Sequence, residues 1–219
     1  MKGLFSPGNK FGRMIIKAGY MIILSWLWVL TSLPIFTIGA SSVALYDIVR
    51  KVLMDKEGPI SRTFFQSFRA NFKQATGLWL IVLAVLLVFI YCAGLYTFMG
   101  DESTLGKVIF WIFIVIVVYF AAWAQIAFSY MARIADTVKT TMRNVLLMCI
   151  MHPMTVVRVG VQTVLVAVGL VVLPLAPVLP MIISLVPACY CALLVRPVEK
   201  LLGQYIPKED QEENVSERH

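Results

Sequence analysis

The stretch SLPIFTIGASS, residues 32–42, decides how this chain is folded. It overlaps the end of nineteen residues, Ala18–Phe36, that carry no charge, and a proline and then a glycine interrupt the apolar sequence there. Asp47, Arg50 and Lys51 follow soon after. Proline removes a backbone donor and disfavours helix in the residue before it. An apolar helix therefore ends near Pro34, and a second helix starts within Thr37–Ser42. Thr37 or Ser41 is placed to cap the exposed backbone donors of that second helix.

The whole chain sets the scale for this local reading. It has 219 residues, 60% hydrophobic and 14% charged, against about a quarter charged in soluble domains. Such a composition cannot cover an apolar surface with polar groups in water. The long apolar runs match the roughly 20 residues needed to cross a bilayer. The fold class is all-α, a polytopic integral membrane helical bundle. The four cysteines, Cys92, Cys149, Cys189 and Cys191, lie in apolar surroundings with no C-x-x-C and no metal-ligand spacing to histidine. No metal and no cofactor is expected.

Segment one covers about Met14–Pro34, and Lys2, Lys10, Arg13 and Lys17 precede it. Its apolar run is too long for a signal peptide. Gly77–Met99 and Val108–Met131 are two clear spans. Residues 159–195 form one uncharged run of 37, divided by Pro174, Pro177 and Pro180 into spans at about 156–173 and 178–195. Bases collect at 50–73, at 133–158, and at Arg196 and Lys200. They mark those segments as cytoplasmic, and the acidic turn at 100–107 as external.

The four bases near the N-terminus also favour the cytoplasm. That agrees with the bases at 50–73 only if residues 40–54 return towards the same side. The architecture is then three helical hairpins, with five long spans and one shorter returning helix. The alternative is an amphipathic helix lying on the membrane surface over 38–54. On the returning helix, Gly39, Ser42, Val43, Tyr46 and Arg50 share one face, directed at neighbouring helices. Ala44, Leu45, Ile48 and Val52 share the other, directed at lipid. Asp47 can pair with Arg50 or Lys51. Residues 1–207 form a single transmembrane domain. Residues 208–219, with five acids and two bases, form a disordered cytoplasmic tail.

Four further polar features stand out. Arg62, Gln66, Arg69 and Lys73 make one helical stripe, and Phe64, Phe65, Phe68 and Phe72 another. Phenylalanines beside bases suit a helix in the headgroup region, so Arg62, Phe64, Phe68, Arg69, Phe72 and Lys73 are expected to contact membrane lipid. Gln125 lies within a span and aligns with Ser129, Arg133 and Asp136. It either lines a solute path or bonds a neighbouring helix. Arg196 and Glu199, three apart, read as a snorkelling pair, and His152 before Pro153 reads as a turn residue. The candidate binding or coupling site comprises Thr37, Gly39, Asp47, Arg50, Gln125 and Arg133. No catalytic motif is present: there is no phosphate-binding glycine loop, no H-E-x-x-H and no G-x-S-x-G. An enzyme is not expected, and no nucleic-acid-binding motif accompanies the basic loops.

The combination LPIFTIGASSVALY at 33–46 and FFQSFRANFKQATGLW at 64–79 resembles the YesL family of small bacterial membrane proteins, a family without settled activity. The resemblance implies a multi-pass protein of the bacterial plasma membrane. It also implies an accessory role in carbohydrate uptake or sensing, with a sugar transporter or a sensor histidine kinase as partner. A small-solute transporter or channel is the alternative.

Topology is testable directly. Cysteines placed singly at Ser6, Ser103 and Ser216, in a background without native cysteines, should react with an impermeant reagent in intact cells only at 103. Reaction at 6 would exclude the returning helix.

Overall fold

A computed structural model of the protein describes residues 10–54, 59–99, 103–134, 136–172 and 175–205. Within them the side chains of residues 10, 11, 99 and 169–184 are not described. The N-terminal Lys2, Asp101 and Glu102 of the acidic turn, Pro174 and the acidic tail all fall outside the described residues.

The described residues form an all-helical bundle: α1 (Lys10–Ser32), α2 (Ile38–Leu53), α3 (Ile60–Met99), α4 (Thr104–Met131), α5 (Val138–Met151), α6 (Pro153–Val172) and α7 (Leu175–Leu202). α1, α3 and α4 are each long and apolar enough to cross a membrane. α5 and α6 are long and apolar enough only when taken together, as a broken span or a re-entrant loop bent by 100°. The bend falls at His152, whose non-helical backbone (φ −126°, ψ 61°) ends α5 immediately before Pro153, since the residue before a proline is disfavoured in the helical conformation. Large apolar side chains face outwards along these helices, among them Leu87, Val88, Ile90, Trp111 and Val115. So much exposed apolar surface belongs in lipid.

The break at 32–37 is where the sequence puts it. α1 ends at Ser32, a single 3-10 turn covers Ile35–Thr37, and α2 begins at Ile38. Trp28 donates to Ser42 Oγ at 3.3 Å. The two residues are equally far from the turn, so α2 folds back along α1. The capping expectation is not met. Thr37 is the N-cap residue of α2 but makes no side-chain cap. Its hydroxyl instead lies 2.6 Å from the carbonyls of both Thr31 and Pro34, satisfying acceptors left over at the end of α1. Ser41 likewise donates to the Thr37 carbonyl at 3.0 Å.

α2 rises about 24 Å over its 16 residues, short of the ~30 Å hydrocarbon core. It packs against α1, α3, α4 and α7. That overturns the expectation of a lipid-facing side. Ala44, Leu45, Ile48 and Val52 are as buried as Val43 and Tyr46, because helices enclose α2 on both faces.

α3 also differs from expectation. The Phe-rich stretch is not a separate interfacial helix but the start of a continuous 40-residue helix. Phe64 is fully buried, which corrects its assignment to lipid. Phe68 and Phe72 pack, half-buried, on the core. Arg62, Phe65, Arg69 and Lys73 remain exposed. α3 and α4 are zipped by aromatic pairs, Phe89 edge-on to Phe113 and to Phe120, and Tyr96 stacked on Phe110. The two helices of the long uncharged run, α6 and α7, separate near its prolines, but Pro177 and Pro180 lie inside α7, not in a connecting turn.

Gly39 fixes the distance between α2 and α3. A Cβ built there would lie 2.5 Å from the Ala75 carbonyl oxygen and 2.6 Å from Trp79 Cβ. Neither atom is the end of a flexible chain, so the helices would have to part. Gly39→Ala should therefore lower stability in detergent by about 1–3 kcal/mol, the usual range for overpacking. Gly94→Ala, with nothing within 4 Å, should leave the unfolding midpoint level or slightly raised. Equal midpoints for Gly39→Ala and the parent would refute the close approach.

Candidate functional site

The polar residues predicted from sequence do not form one site. They divide among the α1–α2 break, a mid-bundle wall and an ionic cluster near the end of the bundle where α2, α4 and α7 terminate.

The ionic cluster is built around a residue the sequence reading placed elsewhere. Glu199, on α7, lies with Oε2 3.0 Å from Arg50 Nε of α2. Its Oε1 is 3.5 Å from Arg133 Nε, just after α4, and accepts from the Tyr46 hydroxyl of α2 at 3.1 Å. These side chains are 12–18% exposed. Neither arginine Nε has hydrogen-bond geometry to Glu199, so the contacts are ion pairs at close range. Burial pulls the Arg133 guanidinium below its ordinary pKa, and the Glu199 carboxylate opposes that shift. An arginine so placed stays charged. Glu199 thus offsets two buried cations and ties three helices together. It does not pair with Arg196, which is exposed. The signal was present in sequence only as an acid three residues after a base, a spacing that suggests a local partner.

Asp47 is buried beside this cluster and pairs with Lys51 at 2.9 Å, one of its two expected partners. Arg50, the other, is taken by Glu199. Nearby, the Tyr130 hydroxyl donates to Asp136 at 2.7 Å and accepts from Asn144 at 3.0 Å, fastening α4 to α5.

Gln125 stands about two turns of α4 before Arg133 and belongs to a different network. Its amide donates to Thr163 Oγ1 of α6 at 2.8 Å and accepts from the Tyr190 hydroxyl of α7. Gln162 donates to the Tyr190 carbonyl at 3.3 Å. On the far side of α7, the Ala188 amide donates to Ser25 Oγ of α1 at 3.2 Å. Gln125 thus hydrogen-bonds neighbouring helices, one of the two roles open to it.

Between these networks lies a cavity of about 510 Å³. Trp28, Ser42, Tyr46, Trp79, Gln125 and Tyr190 are among its walls, and the rest is almost wholly aliphatic or aromatic. Asp47, Arg50, Arg133 and Glu199 are not among the residues that line it. Among the described residues, no group of three or more His, Cys, Asp or Glu could hold a metal ion. Cys149 and Cys191 are buried, while Cys92 and Cys189 are exposed, and all four are free thiols.

A family model described as "Protein of unknown function, DUF624" matches residues 21–92. That segment contains the α1–α2 break, all of α2 and most of α3. No curated protein and no solved structure matches the chain.

The ionic cluster makes a quantitative prediction. Glu199→Gln leaves Arg50 and Arg133 near each other without their paired carboxylate and should cost about 1–3 kcal/mol. In a denaturation cycle in detergent, Arg50→Gln and Glu199→Gln should couple by roughly 0.5–3 kcal/mol. Strict additivity would show that the pair does not interact.

Proposed function

We propose that this membrane protein is a non-enzymatic accessory or regulatory component of carbohydrate uptake or sensing. The observation that carries this reading is how the polar groups are spent. Asp47, Arg50, Arg133 and Glu199 are engaged with one another or with Lys51 and Tyr46, and Gln125 with Thr163 and Tyr190. The cavity they leave is apolar. A sugar entering it would leave hydroxyl groups unpaired, at a cost of about 1–3 kcal/mol for each group by mutational measures. This arrangement suits a protein that works through a partner better than one that conducts a polar solute itself.

The carbohydrate assignment rests on the likeness of residues 33–46 and 64–79 to the YesL family. Those two motifs meet in space: Gly39 packs on Ala75 and Trp79, and Trp79 Nε1 donates to the Ile35 carbonyl at 2.7 Å. The same reading places the protein in the bacterial plasma membrane with its C-terminus in the cytoplasm. A sugar transporter subunit or a sensor histidine kinase is the partner.

Affinity purification of the full chain in mild detergent, with identification of co-purifying membrane proteins, tests the proposal. A sugar transporter subunit or sensor kinase should be retained in stoichiometric amount. Sugar uptake by liposomes containing this protein alone would overturn the accessory reading in favour of a transporter.

A further inference from the structure

The cavity is walled by the helices long and apolar enough to cross a membrane. Its walls draw on Trp28 and Val29 of α1, Val82 and Leu86 of α3, and Phe120 to Ser129 of α4, all inside the three helices that pass as membrane spans. Ser42, Leu45 and Tyr46 of α2, Val166 of α6 and residues between 186 and 194 of α7 complete it; the α7 stretch spans eight steps. Those eight steps at 1.5 Å per residue make the cavity about 12 Å long. It is partly open.

Its size sits within the range of small-molecule sites, about 300–1,000 Å³. It is well beyond the ~150 Å³ apolar cavity that stays dry and admits benzene. The polar atoms on its walls are committed elsewhere. The Gln125 amide and the Tyr190 hydroxyl bond each other and Thr163, Ser129 donates to the Gln125 carbonyl, and Ser42 accepts from Trp28. What faces the space is hydrocarbon, and what surrounds a spanning bundle is lipid chains.

We propose that this cavity is a binding site for an acyl chain of a bilayer lipid. The chain lies between α4 and α7, bounded by α2 and α3. At the cavity's end nearest the ionic cluster it meets Tyr46, whose ring side lines the space and whose hydroxyl holds Glu199. An occupying chain therefore touches the residue that joins the membrane interior to the cluster linking α2, α4 and α7. The occupant needs no charge recognition inside the cavity, because no charged side chain lines it.

The test uses the full-length protein in phosphatidylcholine–phosphatidylglycerol vesicles containing a phospholipid with a diazirine near the end of one acyl chain. After irradiation, labelled peptides are mapped. Label is expected on the cavity walls, at Ala121, Ala124 and Leu194, as well as on outward residues such as Leu87 and Val115. Ala124→Trp, which fills the space, should lower the cavity label about tenfold, equivalent to ~1.4 kcal/mol of binding, and leave the outward label unchanged. Should Ala124→Trp not fold, the parent map decides by itself. Label confined to outward residues overturns the proposal. So does cavity labelling by a free apolar diazirine in vesicles where the lipid-borne probe labels only outward residues.

Discussion

The close approach of α2 to α3 at Gly39 is the contact on which the rest of the bundle depends. A helix of 16 residues is too short to cross a bilayer on its own and carries a charged end. It is stable inside a membrane only where protein covers it on every side. Removing the Cβ at residue 39 brings the α2 backbone against the Ala75 carbonyl and the Trp79 side chain. Dispersion contacts then replace the hydrophobic force that lipid cannot supply between helices. Trp79 completes the joint by donating to the Ile35 carbonyl, which also accepts from the Ile38 amide at the break. The broken backbone at 33–37 is thus satisfied by protein, through Thr37 from one side and Trp79 from the other.

The buried helix brings an electrostatic problem with it. Arg50 and Asp47 enter the interior on α2, and each is answered separately, Asp47 by Lys51 within the helix and Arg50 by Glu199 from α7. Glu199 also answers Arg133, so one carboxylate serves two cations and Tyr46 adds a hydrogen bond. Breaking such a group is costly because it strands a charge, while the intact group contributes little net stability. Its effect is geometric. It fixes the ends of α2, α4 and α7 relative to one another, next to a cavity whose walls those three helices share with α1, α3 and α6.

Much of this was legible in the residues. Uncharged runs bounded by bases identify the spanning helices, and Pro34 with Gly39 marks the break between α1 and α2. Pro153 marks the bend after His152. Other features resist a reading along the chain because the deciding contacts are distant in sequence. Ala44, Leu45, Ile48 and Val52 look like a lipid face, since burial against helices and burial against lipid select the same apolar residues. Phe64 looks interfacial for the same reason. Glu199 lies 149 residues from Arg50, and nothing local distinguishes it from a surface acid three residues after Arg196. Gln125 was recognised as polar and deep, but its partners Thr163 and Tyr190 follow only from the packing of α4 against α6 and α7. The capping role expected of Thr37 failed because the carbonyls of the preceding helix end competed successfully for its hydroxyl.

The two sequence motifs around Gly39 and Trp79 are two sides of one interface, and the matched family segment, residues 21–92, is the unit that makes it. The interior of this unit has its charges paired and its cavity apolar, and the proposed accessory role rests on that organisation. The account's central claim is that α2 lies inside the bundle. Hydrogen exchange of the protein in lipid nanodiscs measures this most directly, since protection reports local opening. Amides of residues 43–49 should exchange as slowly as those at the centre of α4. Exchange of that segment as fast as the exposed start of α3, at residues 61–63, would place α2 on the membrane surface and contradict the account.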